Sequence, residues 1–112
     1  FYSWALTASL MDRYADGDYH IGQMLESLCN HRRRIFIRYL EANEPAELKD
    51  VAKAIAEIEG CSQKSAYTSL YQTHAKTLLR AEIIQQHNGT KTYEQGQHFT
   101  DASVILAFCD TL

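Results

Sequence analysis

Residues 70–89 read LYQTHAKTLLRAEIIQQHNG. Leu70, Thr77, Leu78 and Ala81 recur at helical spacing, and Ile83 and Ile84 then open a strand that runs into an Asn88-Gly89 turn. Asn-Gly suits a tight hairpin because both central residues of that turn take positive φ. A helix followed at once by a hairpin is the order of a recognition helix and its wing. The stretch predicts a winged helix-turn-helix: mainly α with a small β-hairpin, carrying extra N- and C-terminal helices. Duplex DNA becomes the first candidate partner.

Upstream, Ile21, Met24, Leu25 and Leu28 mark a first helical segment. Asn30 is placed to cap a second helix whose one face carries Ile35, Phe36, Tyr39 and Leu40, and Asn43 to Pro45 should end it. A short extended piece, Ala46 to Leu48, precedes Leu48, Val51, Ala52, Ile55 and Ile58 at amphipathic spacing. Gly60 fits the left-handed position beyond that helix and Ser62 can cap the next, which should run to about Arg80. Two helices across a Gly-containing turn make the helix-turn-helix.

Downstream of the hairpin, Thr100 or Asp101 can cap a last helix holding Val104, Ile105, Leu106, Ala107, Phe108 and Leu112. A terminal helix apolar nearly all round must be covered on more than one side, and a second subunit is a plausible cover. The apolar run Phe1, Tyr2, Trp4, Ala5 and Leu6 could join it. The expectation is one domain over 1–112, a homodimer with residues 1–20 and 100–112 as dimerisation helices.

Composition agrees with a folded chain. At 112 residues, 46% hydrophobic and 22% charged, there is room for one core and none for a separate catalytic domain. The opening segment to Met11 is too short to span a bilayer and lacks an export-signal pattern, so the expected setting is cytoplasmic, with no membrane partner. Cys29, Cys61 and Cys109 are odd in number and widely spaced, which suits reduced thiols. The histidines at 20, 31, 74, 87 and 98 show no paired helical spacing, so no metal is expected. No nucleophile, base and orienting acid assemble by pattern, and there is no Gly-rich phosphate loop; an enzyme is not expected, nor a cofactor, nor a small-molecule ligand.

The formal net charge of -3 counts against nucleic acid until it is divided along the chain. Residues 1–31 carry a net -3, residues 32–59 balance, and residues 60–99 set Lys64, Lys76, Arg80 and Lys91 against Glu82 and Glu94, which makes them the one net-positive segment of this division before the acidic end of the chain. Phosphate attraction follows local potential rather than total charge.

With Ala66, Leu70, His74, Leu78 and Ala81 turned inward, Lys64, Ser65, Thr68, Gln72 and Lys76 face outward and Tyr71 flanks them. Gln pairs with adenine edges, Lys with guanine, and Thr or Tyr with phosphate or a thymine methyl. An ordinary solvated helix face has the same composition. Lys91 at the wing and Arg80 at the helix end are candidates for the DNA backbone. Among Arg32, Arg33 and Arg34, one structural and one or two exposed residues are expected, with Arg33 as the candidate DNA contact. His74, on the inward side, reads as a buried, hydrogen-bonded structural residue.

Two resemblances bear on this. LCNHRRRIFIRYLEAN (28–43) resembles the first-helix segment of small prokaryotic winged-helix repressors of the arsenic-repressor type, and THAKTLLRAEII (73–84) is similar to the end of their recognition helix. The Arg-Arg-Arg run followed by SLYQTHAKTL (69–78) looks closer to a largely uncharacterised winged-helix family of haloarchaea, which implies an archaeal source. The likeness covers about residues 25–95. Ala75, Lys76 and Thr77 stand where the haloarchaeal group usually has Leu-Pro-Lys, and Glu82 where a helix-ending Gly is common in both families. The closely spaced helix cysteines of metal-sensing repressors are missing, so metal sensing does not carry over. The resemblance implies a sequence-specific DNA-binding transcriptional regulator. The rival expectation is a winged-helix module that uses its apolar ends and tyrosines to bind protein, without DNA.

Overall fold

The computed structural model describes residues 21–111. The part expected of residues 1–20 in dimerisation lies outside them.

Helix α1 covers 21–28 and buries Met24 and Leu28. Asn30 then caps α2 (His31–Ala42), its side chain accepting from the Arg32 amide at 2.9 Å. Helix α2 buries Ile35, Phe36, Ile37 and Leu40. Tyr39, expected on the core face, is half-buried, and Ile37 takes a core place instead.

A two-residue strand β1 (Ala46–Glu47) leads into α3 (Leu48–Glu59), which buries Leu48, Val51, Ala52 and Ile55 and leaves Ile58 61% exposed. Gly60 ends α3 in the left-handed region at φ 71°, where a side chain would clash with its own backbone, and its N–H reaches the Ala56 carbonyl at 2.9 Å. Ser62 caps the next helix by accepting from the Ser65 amide at 3.1 Å.

That next helix is not uniform. It runs as α4 (Gln63–Ser69), a π-helical turn (Leu70–His74) and α5 (Ala75–Arg80), and the Ala75 N–H bonds to the Leu70 carbonyl five residues back. The widened turn accommodates one extra residue. His74 and Ala75, neighbours in sequence, are therefore both buried beside Leu70 and Leu78.

After Arg80 the chain closes in a Schellman turn: the Glu82 amide donates to Leu79 and the Ile83 amide to Leu78, both at 3.0 Å. Glu82 occupies the left-handed residue of that turn, φ 59°, a conformation that usually favours glycine. Strand β2 (Ile84–Gln86) and β3 (Thr92–Gln95) form the wing, with Asn88 and Gly89 both at positive φ in the connection. The sheet order is β1-β3-β2, antiparallel throughout, with Ala46 opposite Tyr93 and Gln86 opposite Tyr93 on the other side. Tyr93 meets Phe36 of α2 edge-on, ring centroids 5.7 Å apart, so the wing base is part of the core.

The last helix, α6 (Phe99–Asp110), starts after His98 and not at a Thr100 or Asp101 cap. The His98 amide is already held by the Glu82 carbonyl at 2.9 Å, and the buried Phe99 ring draws the helix start forward. Helix α6 buries Phe99, Ala102 and Leu106, and Arg38 of α2 pairs with Asp110 at 2.7 Å. Its other side is open: Val104 is 62% and Phe108 65% exposed. The architecture is mainly α with a small antiparallel sheet, in the element order of a winged helix-turn-helix with a further helix at each end. No helix among the described residues is long and apolar enough to cross a membrane.

Candidate nucleic-acid interface

Burial against α2 and α3 fixes which side of α4 to α5 meets solvent. Ala66, Leu70, His74, Leu78 and Ala81 are all buried, as the spacing predicts, and Lys64, Ser65, Thr68, Tyr71, Gln72 and Lys76 are exposed. Lys64, Ser65, Thr68 and Gln72 line one shallow depression together with Ser62, Ser69 and Thr73. The Thr68 hydroxyl donates to the Lys64 carbonyl at 2.9 Å, which commits its proton to the helix and leaves its oxygen able to accept.

A second group lies beside the first. The rings of Tyr67 and Tyr71 stack at 6.4 Å with 8° between their planes, as residues four apart on a helix can. From the wing, Lys91 places its ammonium 4.8 Å from the Tyr71 ring centroid and 5.6 Å from that of Tyr67. Lys76 lies over the same Tyr71 ring at 6.0 Å. Residues five apart do not normally face one another, and the π turn between them brings Lys76 round. The Tyr67 phenol first, and after it Tyr71 and Tyr93, hold the Lys91 amine above its ordinary value. Tyr67 was not among the expected contact residues. It is half-buried, and its partner comes from a hairpin 24 positions later.

Arg33 does not join these groups. Its Nε donates to the Ser27 carbonyl at 2.8 Å, Nη2 to Glu26 at 3.2 Å, and Nη1 lies 3.4 Å from His74 Nδ1. Arg34 donates to the Leu28 carbonyl at 2.7 Å, and Arg32 grips Glu59 of α3 through Nε and Nη2, the shortest contact being 2.9 Å. All three arginines are thus structural, where one was expected. For Arg33 and Arg34 the reason is the end of α1: its last carbonyls carry the negative end of the helix dipole and lack helical partners, and they lie directly before the α2 start, whereas Arg32 is held by the carboxylate of α3. Arg80 lines a pocket with Arg33, Gln23, Glu26 and Thr77, away from the Lys64 to Gln72 depression.

His74 is buried, and its ordinary value of 6.5 is lowered, first by burial and then by the charges of Arg33 and Arg32. Because a guanidinium only donates, Nδ1 accepts and the imidazole proton sits on Nε2. A histidine depressed in the fold binds its proton more readily unfolded. The stability it contributes is therefore whole above 6.5 and lost as pH falls from there through the lower native value. The urea midpoint should fall between pH 7 and 5.5, and His74→Gln should flatten that fall. The Glu59 carboxylate, depressed by its bond to Arg32, loses its contribution only below its ordinary 4.5 and so acts in a lower window. An unchanged slope in His74→Gln would remove His74 as the cause.

Among the described residues no three His, Cys, Asp or Glu side chains gather as metal ligands, and Cys29, Cys61 and Cys109 are free thiols.

A family model described as "Domain of unknown function (DUF7344)" matches residues 25–94, from within α1 to the end of the wing. None of the curated proteins compared with the chain matches it.

Proposed function

The chain belongs to the DUF7344 family, a domain of unknown function, and we propose that it works as a sequence-specific DNA-binding transcriptional regulator, a winged-helix homodimer on a roughly two-fold symmetric site. One observation carries this reading. Among the described residues, Lys64, Lys76 and Lys91 have no carboxylate partner and lie along the exposed helix and wing, whereas the arginines of α2 are taken up by the fold. Unpaired cations beside Gln72, Thr68 and Ser65 supply both phosphate attraction and base-edge donors. Lys64, Thr68 and Gln72 are assigned to the groove, and Lys91 to the backbone with Arg80 at the edge; Lys76, a groove candidate by its helical spacing, lies over the same Tyr71 ring as Lys91 and is assigned to the backbone with it. Occupancy of promoter DNA is the mechanism, with no chemistry performed. Three free cysteines suit a reducing cytoplasm.

The dimer rests on an apolar face. Ile21 and Leu25 on α1 are 57% and 49% exposed, alongside Val104 and Phe108 of α6, and Ile21, Met24, Val104 and Ile105 share one groove. The same face favours the second reading, a winged-helix module that binds another protein and no DNA.

Titration of a labelled duplex at two salt concentrations, with sedimentation of the free protein, separates the two readings. Binding that weakens steeply with salt and falls by about tenfold in Lys76→Glu is expected. No binding at low salt leaves the protein-binding module. A monomer mass independent of concentration removes the homodimer.

A further inference from the structure

Neither a solvated helix face nor an independent wing requires two lysines from different elements to share one aromatic ring. Like charges repel, and a free lysine on an exposed surface gains entropy by staying in water. Here Lys91 of the wing and Lys76 of α5 both lie over Tyr71, at 4.8 and 6.0 Å, and no described carboxylate neutralises either. Tyr67 extends the platform by stacking on Tyr71 with its own ring centroid 5.6 Å from the Lys91 ammonium. The ring faces draw in the cations through their negative quadrupole, and the two ammonium groups are left with donors pointing away from the rings. A concentrated, aromatic-backed pair of positive charges lacks only its anion.

We propose that Tyr67, Tyr71, Lys76 and Lys91 form a single anion seat bridging helix and wing, which takes one phosphate of the DNA backbone. The proposal rests on the DNA-binding reading above and deepens it. Lys76 and Lys91 contact the phosphate, while the two tyrosines are positioning residues that set the wing cation against the helix cation. Helix and wing then meet the duplex as one rigid unit, in a fixed register.

Salt dependence counts the phosphates. Loss of one neutralised phosphate lowers the slope of log affinity against log salt by about 0.9. The double variant Lys76→Ala/Lys91→Ala should therefore lose about 0.9 in slope if both lysines serve one phosphate, and about 1.8 if they serve two. Tyr71→Leu should weaken duplex binding several-fold and make a further Lys91→Ala change nearly silent, whereas Tyr71→Phe, which keeps the ring, should bind like wild type. In the free protein, the Lys91 side-chain protons should show an upfield ring-current shift in the NMR spectrum, cut in Tyr71→Leu to the smaller share that Tyr67 supplies and kept in Tyr71→Phe. A slope loss near 1.8, additive effects of Tyr71→Leu and Lys91→Ala, or unshifted Lys91 protons in the folded wild type would each overturn the seat while leaving DNA binding in place. Absence of any duplex binding by wild type at low salt would remove the seat together with the reading it depends on.

Discussion

Replacing Gly96 with alanine is expected to destabilise the protein by about 2–3 kcal/mol, as is usual when an extra methyl is forced into filled space. The cause is crowding by main chain. A Cβ at Gly96 would lie 2.6 Å from the Glu82 carbonyl oxygen and 3.0 Å from the carbonyl carbons of Ile83 and Ile84. None of these atoms can rotate away as a side chain would. The Glu82 carbonyl also accepts from the His98 amide that starts α6, and the Gly96 amide donates to Ile83 at 2.9 Å. Moving any of them loosens the helix-ending turn, the base of the wing and the α6 start together. Gly22, on the exposed side of α1 with nothing within 4 Å of its Cβ position, is the control, and Gly22→Ala should leave stability unchanged or raise it. Denaturant unfolding of both variants checks this. A Gly96→Ala protein as stable as wild type would mean that the wing yields at its base, and the rigid helix-and-wing unit would have to be given up.

The second large effect concerns Arg33→Ala, expected to reduce stability by about 2 kcal/mol without lowering the duplex affinity of the folded protein. Truncation leaves the Ser27 and Glu26 carbonyls without their charged donor and removes the group beside buried His74. Arg33→Lys should recover only part of the loss, because one ammonium cannot reproduce the forked geometry of a guanidinium that reaches two carbonyls and a ring nitrogen. Lys91→Ala should do the opposite: little change in unfolding and weaker duplex binding. If Arg33→Ala unfolded like wild type and bound duplex as poorly as Lys76→Glu, its place among the structural residues would be wrong.

Several features of the fold were legible because they are short-range. The Asn30 and Ser62 caps, the left-handed Gly60 and the Asn88-Gly89 turn each depend on a residue type and on partners a few positions away. The buried set Ala66, Leu70, His74, Leu78 and Ala81 followed from helical periodicity alone. The α6 start is not legible in the capping signal of Thr100 and Asp101, because a long-range bond from the His98 amide to the Glu82 carbonyl sets it earlier. The uses of the three arginines were hidden for a related reason. A run of like charges looks like an exposed surface until the orphan carbonyls of the preceding helix and the Glu59 carboxylate of α3 are placed beside it.

Residue order by itself determined the chain's mainly α character, its helix-turn-helix and wing, and which side of the long helix is buried, because local conformational preference and apolar spacing act within one or two turns. Tertiary structure alone decided that Arg33 serves α1 and that Gly96 must lack a side chain. It also brought Tyr67, Tyr71, Lys76 and Lys91 together, through a π turn in the helix and a hairpin folded back on it. Those outcomes depend on how one element is set against the next, helix end against helix start and hairpin against helix, which only the packed chain decides.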